Sequence, residues 1–116
     1  ARPLFIPRKR ISSIITSRLE KYRGPTEEWL ERVGVKYGEL IMLDGVTAEE
    51  RRRLRLHAAF KAKAYGERKE QVFVESSRVQ ARKIFELTGK KVISIEGNIF
   101  FGDFIRATNS AKDNAR

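Results

Sequence analysis

Four short apolar runs constrain what this chain can fold into: Ile14-Ile15, Leu40-Ile41-Met42-Leu43, Val72-Phe73-Val74 and Val92-Ile93-Ser94-Ile95. Each marks a short strand, and stretches of helical spacing lie between them. Strand and helix alternate, which predicts an α/β fold whose sheet is mostly parallel with right-handed crossovers. We expect a three-layer, Rossmann-like sheet of about four or five strands.

The punctuation supports that order. Residues 1–11 are basic and proline-broken, as in an extended arm. A strand over Ser13–Thr16 gives way to a helical turn from Arg18. Pro25 restarts the helix, Trp29, Leu30 and Val33 form its apolar face, and Gly34 ends it. Asp44-Gly45 is a turn. Thr47 with Glu50 makes a capping box for a helix running through Leu54 and His57 towards Tyr65, with a break near Ala58 and a stop at Gly66. Ser77 caps a helix over Arg78–Thr88, closed by Gly89. Gly97-Asn98 suits a hairpin into Ile99-Phe100-Phe101. We expect a single domain over 1–106 and a polar, frayed tail over 107–116.

The chain has 116 residues, 41% of them hydrophobic, enough for one domain with a modest core. It contains no cysteine, so disulfides and thiolate metal sites are excluded and a cytoplasmic location is expected. No apolar run approaches the roughly 18 residues of a membrane span. The net charge of +10 favours polyanionic partners: nucleic acid, nucleotides or phosphorylated metabolites.

In open α/β sheets, ligands bind beyond the carboxyl ends of the strands. Thr16 and Ser17 fall at the first such end, with Arg18 placed to clamp a phosphate. Lys61 and Lys63 precede another end, where Glu75 closes the third strand before Ser76-Ser77. Hydroxyl, lysine and carboxylate in that order suit phosphoryl chemistry, which rests on positioning and charge stabilisation. Arg18 is alternatively a surface partner of Glu20 or Glu27. His57, the only histidine, reads as a helix-face residue. Arg51-Arg52-Arg53 read as a solvated face with Glu49 and Glu50 as local partners. No Walker or Rossmann glycine loop is present, and nothing supports Ser-His-Asp catalysis.

These segments resemble the haloacid-dehalogenase-like phosphohydrolase family downstream of its nucleophile strand. More narrowly, they resemble the C-terminal phosphatase-like region of phosphoribosyltransferase-associated proteins. Arg2-Pro3-Leu4-Phe5-Ile6-Pro7, Thr16 through Arg23, Thr26 through Leu30, Phe60-Lys61-Ala62 and Phe73 through Ser77 carry the likeness, which spans about Arg2 to Glu96. The resemblance implies that Thr16 binds the transferring phosphoryl group. It also implies that Lys61 neutralises phosphate and that Glu75 helps to hold Mg²⁺. The family's Asp-x-Asp nucleophile pair is absent: the only aspartates are Asp44, Asp103 and Asp113, and Asp44 reads as a turn residue.

The resemblance therefore implies an α/β sheet truncated on its N-terminal side. It implies a Mg²⁺-dependent phosphomonoesterase for a small phosphorylated metabolite or nucleotide, inactive without an upstream Asp-x-Asp segment, with that segment or another copy of the chain as the partner expected to complete the sheet. The alternatives are a basic nucleic-acid-binding module and a strand-donating assembly subunit.

Overall fold

Ile11–Leu19 forms the first strand, β1. It continues past Thr16, where the apolar pattern stops, because Leu19 is buried and pairs with Leu43. The helix expected from Arg18 therefore starts later, as a 3-10 turn over Glu20–Tyr22 leading into α1, Arg23–Val33. Pro25 sits in the first turn of α1, where its missing N–H is not needed. Gly34 ends the helix at φ +82°. This is a computed structural model that describes residues 9–96 and the backbone of 99–101. Residues 1–8 of the expected arm, the Gly97-Asn98 turn and the tail over 107–116 lie outside the described residues.

β2, Tyr37–Leu43, runs parallel to β1, with Ile11 opposite Tyr37 and Thr16 opposite Met42. The pair and α1 enclose Leu30, Leu40 and Met42, against which Ile14, Trp29, Val35 and Tyr37 pack. Trp29 and Leu30 thus take the core positions expected of them. Arg23 fixes the start of α1 to this pair: its Nη2 donates to the Leu40 carbonyl at 2.8 Å. It also pairs with Glu20 and Glu27. Those carboxylates are the surface partners that the alternative reading gave to Arg18. The Arg18 guanidinium lies over the Tyr22 ring instead, 5.6 Å from its centroid.

α2, Ala48–Arg53, opens on the capping box: Thr47 Oγ1 accepts from the Glu50 amide at 3.1 Å and Glu50 Oε1 from the Thr47 amide at 2.9 Å. The break comes at Leu54-Arg55 rather than near Ala58, with Arg55 in the left-handed region at φ +53°. Glycine or asparagine would have announced such a residue, and arginine does not. α3, Leu56–Gly66, follows.

The remaining elements are β3, Val72–Glu75, α4, Arg78–Thr88, β4, Lys91–Ser94, and β5, Ile99–Phe101. β3 and β4 are parallel, and β5 returns antiparallel to β4. Ser77 caps α4 through the Gln80 amide, and Gly89 ends it at φ +69°. Ala81, Ile84 and Val92 are fully enclosed here, together with the Tyr65 ring.

The chain divides into two compact units, Ala1–Lys61 and Ala62–Arg116. Each holds a parallel strand pair closed by its own helix, α1 in the first and α4 in the second. The mixed α/β class and the parallel pairings agree with the sequence. The described strands pair as β1–β2 and β3–β4–β5, and a single ladder of four or five strands is not among these pairings. Among the described residues, no helix is long and apolar enough to cross a membrane.

Candidate functional site

The β1–β2 ladder is regular as far as Thr16 opposite Met42, and the next pairing is Leu19 opposite Leu43. Ser17 and Arg18 are therefore an insertion on β1. Bulges of this kind re-aim side chains and are common beside active sites. The Arg18 amide donates to Thr16 Oγ1 at 3.2 Å, closing the bulge locally. Thr16 is half-buried, Ser17 is buried and Arg18 is exposed. The three residues picked from the sequence thus sit together on one irregularity.

Two further residues of the same unit converge there. Ser17 Oγ and His57 Nδ1 share a hydrogen bond of 2.6 Å. Arg51 Nη1 donates to the Ser17 carbonyl at 3.0 Å. Arg51 Nε is sealed from solvent with no hydrogen-bond acceptor. His57 sits on α3 as expected, with a cross-element bond to Ser17 that its helix position does not show, whereas Arg51 leaves the solvated run expected of it for the Ser17 carbonyl. These contacts join residues 40 and 34 positions apart, a separation that helical spacing cannot reveal.

Burial, followed by the positive charges of Arg51 and Lys61, pushes the His57 imidazole below its ordinary value of 6.5. The neutral form is therefore favoured in the folded protein. The unfolded chain binds the proton more readily, so this contribution to stability is complete above pH 6.5 and is lost as pH falls through the lowered folded value. Urea melts should show stability declining between pH 7 and 5, with a flatter decline in His57→Asn. Equal slopes in the two proteins would refute it.

Lys61 is half-buried on α3 in this unit and acts on His57 through its charge. Glu75 belongs to the second unit, buried at the end of β3. Its Oε2 accepts from the Ser77 amide at 2.9 Å and from the Ser76 hydroxyl at 3.4 Å. That carboxylate organises its own turn ahead of α4. Among the described residues, no group of three or more acidic, histidine or cysteine side chains is placed to hold a metal ion. Asp44 has the turn role expected of it, its Oδ1 accepting from the Gly45 amide at 2.8 Å.

Comparison of the chain with protein-family models, with curated proteins and with solved structures finds no match.

Proposed function

We propose that the chain handles phosphate esters at the β1 bulge, as the C-terminal part of a phosphohydrolase associated with a phosphoribosyltransferase. The single observation that carries this reading is the insertion of Ser17 and Arg18 directly after Thr16. A hydroxyl, a backbone kink and cationic side chains meet there, and phosphoryl recognition draws on such groups. The substrate class is a small phosphorylated metabolite or nucleotide, in the cytoplasm. The family likeness and a Rossmann-like sheet belong to the proposal. So does a Mg²⁺ site, whose carboxylates would have to come chiefly from an upstream Asp-x-Asp segment, because the described residues do not make one. Hydrolysis is expected only with that segment supplied.

Binding tests this without needing turnover. In calorimetric titrations with AMP and ribose 5-phosphate, Thr16→Val and Lys61→Met should each weaken binding about tenfold, the scale of one charge-assisted hydrogen bond. Phosphomonoester binding that ignores both substitutions, or fails altogether, overturns the reading. The net charge of +10 favours a second reading, a nucleic-acid-binding module. An oligonucleotide bound with steep salt dependence, where the phosphomonoesters do not bind, would put that reading first.

A further inference from the structure

We propose that Arg51, His57 and Ser17 form the seat of a single oxyanion of the phosphate class, and that seating the anion gives His57 a proton from solvent. This rests on the phosphate reading and shares Ser17 with it, but it adds Arg51 and His57 from α2 and α3 and a different property, proton linkage.

A buried N–H without an acceptor is costly, and Arg51 Nε is such a group. An anionic oxygen satisfies it. The guanidinium is anchored at its other end on the Ser17 carbonyl, so Nε is held beside the bulge. His57 reaches the same residue from α3. Among the described residues, the charged groups acting on His57 are Arg51 from α2 and Lys61 from its own helix, both positive, while β1 contributes the neutral Ser17 hydroxyl. Without an anion, these charges oppose a third positive charge on the imidazole. An arriving dianion offsets them and makes protonation favourable. By linkage, the protonated protein then binds the anion more tightly by the same factor.

His57 is the only histidine, so one imidazole resonance reports on the seat without assignment ambiguity. The experiment is an NMR pH titration of that resonance in the whole chain, alone and with saturating sulfate or inorganic phosphate. Sulfate keeps its charge throughout the range. Both anions should raise the His57 midpoint, sulfate by about one unit, and sulfate affinity should be about tenfold higher at the acid end. Arg51→Met should lose at least about tenfold in anion affinity and raise the midpoint of the free protein, while Arg51→Lys should keep part of both effects.

An anion that binds without moving His57 overturns this proposal and leaves the phosphate reading standing. Unchanged affinity in Arg51→Met also overturns it, and would mean that a buried water serves Nε. Loss on Arg51→Met with no loss on Thr16→Val supports the seat and removes the Thr16 assignment. No binding of either anion overturns both.

Discussion

Tyr65→Ala should cost about 3–5 kcal/mol in a denaturant melt, while Tyr65→Phe should cost about 1 kcal/mol. The Tyr65 ring is 1% exposed and lies 5.3 Å from the Phe73 ring, centroid to centroid. Its hydroxyl donates to the Lys91 carbonyl at 2.7 Å. Lys90 Nζ sits 4.0 Å from the ring centroid and donates to the carbonyls of Tyr65 and Arg68, both at 2.8 Å. One side chain thus joins the end of α3 to β3 and to the approach to β4. Truncation to alanine loses the ring contacts and the cation–π contact together, whereas phenylalanine loses only the hydroxyl bond.

Burial, helped by the Glu70 carboxylate, pushes the phenol from 10 up to about 12. The folded value lies above the unfolded one, so this stability is complete below pH 10 and disappears as pH rises towards 12. An absorbance titration should show one of the three tyrosines ionising late. Tyr65→Ala costing under about 1 kcal/mol would sink the assignment.

Gly38→Ala should destabilise the first unit by about 1–3 kcal/mol. At an exposed strand position this change would ordinarily stabilise by about 0.5–1 kcal/mol, through backbone entropy. Here a Cβ would stand 2.6 Å from the Ser12 carbonyl oxygen on β1. That neighbour is backbone held in a ladder, so the strands must separate or shift. The steric term exceeds the entropic one and the sign reverses. Gly24→Ala in α1 is the control: nothing lies within 4 Å of its Cβ position, and it should stabilise by about 0.5–1 kcal/mol. Stabilisation by both substitutions would show that β1 and β2 approach less closely than described.

Elements governed by local chemistry were legible in the sequence. Thr47 with Glu50, Ser77, Gly34 and Gly89 mark helix ends through bonds and backbone angles that span a few residues. The apolar runs located β2, β3 and β4, although β2 began earlier, at Tyr37. The end of β1 was not legible, because polar Ser17 and Arg18 interrupt the pattern where the strand bulges. Partner choice between strands was also hidden, since short apolar runs carry no mark of the strand they will meet. At the candidate site, Thr16, Ser17 and Arg18 were singled out as an expected strand end, although β1 runs on to Leu19 and they lie on its irregularity instead. His57 and Arg51 were not, because their meeting with Ser17 depends on how α2 and α3 return to β1. Arg55, whose left-handed backbone separates those two helices, gave no compositional warning.

The two strand pairs also bear on how the chain is made. β1 and β2 are joined by the helix between them, so every described partner in that ladder has been synthesised once Leu43 is added, before any residue of β3 exists. β3 waits only for α4 and β4, and β5 arrives last to pair with a strand already beside it. Ribosomal synthesis runs from the N-terminus and is slow compared with helix and hairpin formation. The order of translation is thus the order in which the described pairings can close, β1–β2 before β3–β4.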